Sequence, residues 1–135
     1  MTLAASTLAK TWSLATPATH ASPGEDGIHL MADRSHYSYQ LVSASATVSP
    51  QGDYVLAYDI AVLRGSVTVG VVDGETGQWA AQVSLPQGSN VGQLYVSAPG
   101  ANARVVVANC NVAAPMESEA RLRRLELFEA EYADA

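Results

Sequence analysis

Cysteine is nearly missing from this chain. Cys110 stands alone among 135 residues, so no disulfide can form within the chain. Its apolar flanks read as the setting of an inert buried thiol. Charge is also sparse, at 15% of residues, and positive charge is the scarcer kind: seven Lys and Arg against thirteen Asp and Glu, a formal net charge of −6. The middle of the chain holds no cluster of those seven. A nucleic-acid groove needs several cations on one face to displace condensed counterions, so nucleic acid is not an expected partner. An anionic membrane surface is set aside for the same reason. No apolar run approaches the ~20 residues of a membrane-spanning helix, so no membrane insertion is expected. The start, MTLAASTLAKTW, lacks a basic segment ahead of its thin apolar stretch and is not read as a secretory signal. The compartment is left open.

The usual equipment of catalysis is missing too. Histidine occurs three times, at His20, His29 and His36, and none has a His or Cys neighbour at metal-ligand spacing. There is no G-x-S-x-G elbow and no glycine-rich phosphate loop. In the middle of the chain the acids are Asp53, Asp59, Asp73 and Glu75. All but Asp59 belong to turns, so no pair of carboxyls facing one bond can be read. EDG (25–27) with Asp33, and DGE (73–75), offer oxygen ligands, but a turn accounts for each more simply than calcium. The chain is not expected to be an enzyme.

What is present is β-forming. Val, Ala, Ser, Thr and Gly dominate the middle, and turn residues punctuate it. In DYVLAYDIAVL (53–63), Tyr54, Leu56, Tyr58, Ile60 and Val62 alternate with Val55, Ala57, Asp59, Ala61 and Leu63, which predicts a strand with the bulkier set toward a core. Further strands are predicted at 10–15, 27–33, 36–49 (bent around Ser43 to Ser45), 66–72, 78–85, 91–98 and 103–110. The polar stretches TPATHASPGEDG (16–27) and PQGSN (86–90) read as connections, and Asp73-Gly74 as a turn. The last predicted strand is nearly all apolar inside, which suits a central position. The tail ESEARLRRLELFEAEYADA fits a helix by propensity. It fits a strand if a bulge at Arg123-Arg124 brings Leu122 onto the face of Leu125 and Leu127. The preceding strands need a closing edge partner, so a strand is expected at about 119–128, with a frayed or short helical end. Strands spaced in this way indicate an all-β antiparallel sandwich of about eight to nine strands, spanning 10–128. Residues 1–9 then form an extension and 129–135 a tail or linker.

The order of these pieces resembles the jelly-roll modules of the carbohydrate-binding and galactose-binding-like kind. An early Trp12 precedes a polar loop and a short strand, GIHLMAD. The aromatic-rich HYSYQLVS follows, then GDYVLAYDIAV, which looks like the G-x-Y-x-L-x-Y strand of such modules. GSVTVGVVDGETGQW resembles their strand–turn–Trp segment, RVVVANCN the penultimate strand and ARLRRLELF the closing one. These segments also look like the small β-domains attached to bacterial glycosyltransferases, methyltransferases and sulfotransferases of surface glycans. The resemblance implies a non-catalytic module that binds carbohydrate or serves a glycan-related enzyme. One departure is visible: Arg123-Arg124 stand where closing strands often carry an Asp pair. A structural calcium site is therefore not supported by the closing strand, and no cofactor is expected.

Sugar rings are held by aromatic faces, with amides and charged groups on the hydroxyls. Candidates for those roles are Trp79, Tyr95, Tyr37, Tyr39, Gln82, Gln93, Asn109 and Asn111. Several have a competing structural reading. Trp79 shares its period-two face with Ala81 and Val83, and Tyr37 and Tyr39 share theirs with Leu41, so all three could be core. Asn109 and Asn111 could cap a sheet end. The alternative function is a structural sandwich that meets a protein partner or forms a homo-oligomer through an apolar sheet face or an open edge.

Overall fold

A computed structural model describes residues 12–14, 20–24, 27–31, 39–43, 46–47, 53–97, 102–109 and 118–129. Among them are eleven strands and no helix: β1 (Trp12–Leu14), β2 (His20–Gly24), β3 (Gly27–Met31), β4 (Tyr39–Ser43), β5 (Ala46–Thr47), β6 (Asp53–Arg64), β7 (Val67–Asp73), β8 (Trp79–Leu85), β9 (Gly88–Ser97), β10 (Asn102–Asn109) and β11 (Glu119–Glu129). They form two antiparallel sheets. The front sheet runs β2-β3-β11-β6-β9, and the back sheet runs β1-β4-β10-β7-β8 with β5 also on β10.

Between the sheets lies a core of alternating residues. Leu56, Ile60 and Val62 of β6 and Leu122, Leu125 and Leu127 of β11 meet Val67, Val69 and Val71 of β7 and Val105 and Val107 of β10. All are buried. Removing this much apolar surface from water is the main favourable term of the fold.

The all-β sandwich expected from the sequence is present, with a higher strand count. Part of the stretch 16–27 is not a connection: HASPG forms β2, at the edge of the front sheet. Pro23 cannot donate to a ladder, and an edge is where a strand tolerates that. The bent third strand is divided into β4 and β5, both on β10. The connection at 86–90 shrinks to Pro86-Gln87, because β9 begins at Gly88. Residues 1–9 and 130–135 lie outside the described residues.

β11 is a strand, as expected, and it carries the bulge. Its register against β6 slips between Leu122, opposite Ile60, and Arg124, opposite Asp59. The extra residue keeps Leu122 and Leu125 on the same face although three positions separate them. Its place differs from the expected closing edge: it is central, between β3 and β6. Being buried on the inner face and paired on both sides explains why strand pairing overrides its helix propensity.

The β7–β8 turn also departs from the simple reading of Asp73-Gly74. Gly77, at φ 75°, is the left-handed residue there. Asp73 Oδ1 accepts the amide of Glu75 at 2.8 Å, and the Gly77 amide donates to the Asp73 carbonyl at 2.8 Å. The turn is thus closed by an Asp side chain, with a glycine where φ is positive.

Candidate functional site

The sequence candidates do not form one site. Tyr95 and Gln93 lie on β9, on the outer face of the front sheet, and both are exposed. Gln82 lies on β8, on the outer face of the back sheet, opposite Gly70. Trp79 is there too, which corrects the face read from periodicity. A register shift between Val71 and Val72 places Val71 opposite Ala81 but Val72 opposite Trp79. Trp79 is therefore turned away from the core-facing Ala81 and Val83. The indole packs over Gly70: a Cβ built there would lie 2.8 Å from Trp79 Cζ3. The ring is half-buried on the bare backbone of β7.

Asn109 is not available to a ligand. It is fully buried at the end of β10, and its Oδ1 lies 2.6 Å from Ser118 Oγ, which also sits 2.9 Å from the Ser66 carbonyl oxygen. Ser118 immediately precedes β11, so this contact ties the back sheet to the front one. The alternative role of closing a sheet end is what the geometry shows. Replacing Asn109 with Ala should cost about 1 kcal/mol, because one buried hydrogen bond is lost while the Ser118 hydroxyl keeps the Ser66 carbonyl as its acceptor. Urea unfolding measures this, and a change under 0.5 kcal/mol would contradict the clamp. Tyr39 belongs to β4, where its backbone pairs with Ala108; its side chain is outside the described residues, as are Tyr37 and Asn111.

The outer face of the front sheet is the richer surface. Registers place Tyr95 beside Val55, Gln93 beside Ala57, Val91 beside Asp59 and Ser89 beside Ala61. On the other side of β6, Glu126 lies beside Ala57, Arg124 beside Asp59 and Arg121 beside Ala61. Small residues on β6 thus form a floor between longer side chains on β9 and β11. Strand spacing sets those flanks about 10 Å apart. The floor is closed at Val55 and Ala57, which are buried, and opens toward Ala61 and Leu63. Val91 and Tyr95 are 72% and 65% exposed, the two most exposed large apolar residues among those described. Gly92 points inward beneath them, its missing Cβ leaving space for the Tyr58 ring.

Polar groups line the opposite flank. Arg124 Nη2 donates to Glu126 Oε2 at 3.1 Å. Arg123 Nη1 lies 3.9 Å from Asp59 Oδ1, an ion pair too long for a hydrogen bond. That oxygen is buried and accepts no hydrogen bond. Further along, His29 Nε2 lies 2.7 Å from Glu119 Oε2. Among the described residues no group of three His, Cys, Asp or Glu could hold a metal ion. The arginine flank was missed among the sequence candidates. The signal that could have revealed it is the bulge itself: once Leu122, Leu125 and Leu127 face inward, the intervening arginines must face out.

No protein-family model and no curated protein matches the sequence. Solved structures do resemble the fold. The carbohydrate-binding module CBM4 superposes with a TM-score of 0.63 at 7% identity, over 83% of this chain and 78% of that one. The module CBM6cm-2 from Cellvibrio mixtus lichenase 5A, solved with cellotriose, gives 0.57 at 12%, over 97% and 98%. The CBM22-1–GH10 modules of a Clostridium thermocellum endo-1,4-β-D-xylanase, solved with xylohexaose, give 0.53 at 13%, over 91% of this chain but 27% of that one. At these identities the likeness is one of fold, and the fold is the jelly-roll sandwich.

Proposed function

We propose that this chain is a non-catalytic glycan-binding module whose ligand lies along the outer face of the front sheet. One observation carries the reading: Tyr95 and Val91 stand exposed on β9, with Gln93 between them, across a small-residue floor from the polar flank of β11. An exposed ring offers apolar area at low entropic cost, and amide and charged groups fix the hydroxyls. The jelly-roll fold shared with carbohydrate-binding modules supports the reading by analogy of fold. A chain of this size corresponding to about a quarter of a xylanase chain suits an accessory role beside a glycan-active enzyme.

The test is affinity electrophoresis and calorimetry with a panel of soluble neutral and acidic polysaccharides. The wild type should bind at least one, and Tyr95→Ala should weaken that binding tenfold or more, about 1.4 kcal/mol. Gln82→Ala, on the opposite face, should bind as the wild type does. A wild type that binds nothing, or a Tyr95→Ala variant with full affinity, would sink the proposal.

A second reading is favoured by the edge. β9 is the last strand of the front sheet, and its sequence GSNVGQLYVS has no charge and no proline to deter pairing with another strand. Light scattering decides it: a strict monomer at high concentration would remove self-assembly.

A further inference from the structure

Three of the seven basic residues of the chain, Arg121, Arg123 and Arg124, stand exposed on one strand of this face. Their pairing is uneven. Arg124 is engaged by Glu126, and Glu119 is engaged by His29. Arg123 is 47% exposed and reaches no closer than 3.9 Å to Asp59. For Arg121 no ion pair or hydrogen bond is formed among the described residues. It sits between His29 on β3 and Ala61 on β6, at the end where the floor opens. A guanidinium carries five N–H donors in a planar fork suited to two oxygens of one anion.

Resting on the glycan-binding reading, we infer that the ligand is an anionic glycan, with the carboxylate or sulfate of one sugar held by Arg121 and Arg123 while the chain lies across the floor toward Val91 and Tyr95. The net charge of −6 does not oppose this. Charges farther off than about 8 Å are screened at physiological ionic strength, and Asp73 and Glu75 belong to the β7–β8 turn of the other sheet. Among the described residues of this face, Asp59 and Glu126 are turned toward Arg123 and Arg124, and Glu119 toward His29. Charge-assisted, two-pronged contacts would then add specificity to the stacking.

The experiment compares matched ligands on the folded chain. Glucuronoxylan and polygalacturonate are run beside their carboxyl-reduced forms, and carrageenan beside its desulfated form. Binding to the anionic member of a pair should exceed binding to the neutral member about tenfold, fall with added salt, and be lost to the same extent in Arg121→Gln. Whether the uronate or the sulfate pair responds identifies the anion. Melting temperatures of wild type and variant should coincide, since Arg121 is exposed. Equal binding within every pair, or full affinity in Arg121→Gln, overturns the anionic ligand and leaves the glycan-binding proposal standing. Failure to bind any member, charged or neutral, overturns both.

Discussion

Deleting Arg123 should leave the chain unable to form its front sheet, whereas Arg123→Ala should fold normally. Arg123 is the extra residue of the β11 bulge, and pairing with β6 is regular from Ala120 to Leu122 before it and from Arg124 to Glu129 after it. Without it, one half of the strand must slip by one position. If the later half slips, Leu125 and Leu127, now 1% and 2% exposed, turn outward and Glu126 turns into the core. If the earlier half slips, Ala120 and Leu122 turn outward and the pairing with β3 is lost as well. Losing one buried leucine costs about 2–5 kcal/mol, so losing two and burying a carboxylate approaches the whole stability of a typical domain, about 5–15 kcal/mol. Far-UV and near-UV circular dichroism of the two variants checks this. A deletion variant with native near-UV signal and cooperative unfolding would show that the bulge is dispensable.

The second large effect is expected at Gly70. A Cβ there would strike the Ala81 carbonyl oxygen, and would lie 2.8 Å from both Gln82 Cα and Trp79 Cζ3. Two of these three atoms are backbone of β8, so a side-chain rotation cannot relieve the overlap. Gly70→Ala should therefore cost about 3 kcal/mol, at or above the upper end for an inserted methyl, as β8 is pushed away from β7. Trimming the indole should not help: Gly70→Ala with Trp79→Leu should be no more stable than Trp79→Leu lowered by the same penalty. Urea unfolding of the four proteins gives the cycle. Recovery in the double variant would mean that the ring, rather than the strand backbone, sets the close approach. Glycine inside a strand costs β-propensity, and a close backbone approach is the compensating reason for it here.

These two positions show where local pattern was sufficient and where it failed. Along β6 the pattern sufficed: Leu56, Ile60 and Val62 face the core and Leu63 the solvent, as alternation predicts. In β11 a bulge had to be assumed to place Leu122, and the apolar spacing itself justified assuming it. In β8 the same kind of slip gave no such signal, because Trp79, Ala80 and Ala81 can each be placed on either face. There the period-two reading assigned Trp79 to the wrong side. Asn109 has the type and the place, after an apolar strand, of a ligand group, while it is in fact hydrogen-bonded to Ser118, the residue just before β11 of the other sheet.

The sequence by itself determined the all-β class, most strand positions, the core face of β6 and the inward leucines of β11. These follow from turn chemistry and side-chain period, both properties of a few consecutive residues. Only the tertiary structure decided which surfaces share a site. Trp79 and Tyr95 lie on consecutive strands, yet they end on opposite outer faces because the chain crosses between sheets at Pro86-Gln87. Tyr95 instead shares its face with Arg121, Arg123 and Arg124, brought there by the pairing of β6 with both β9 and β11. That pairing joins residues far apart in the chain, and no local period encodes it.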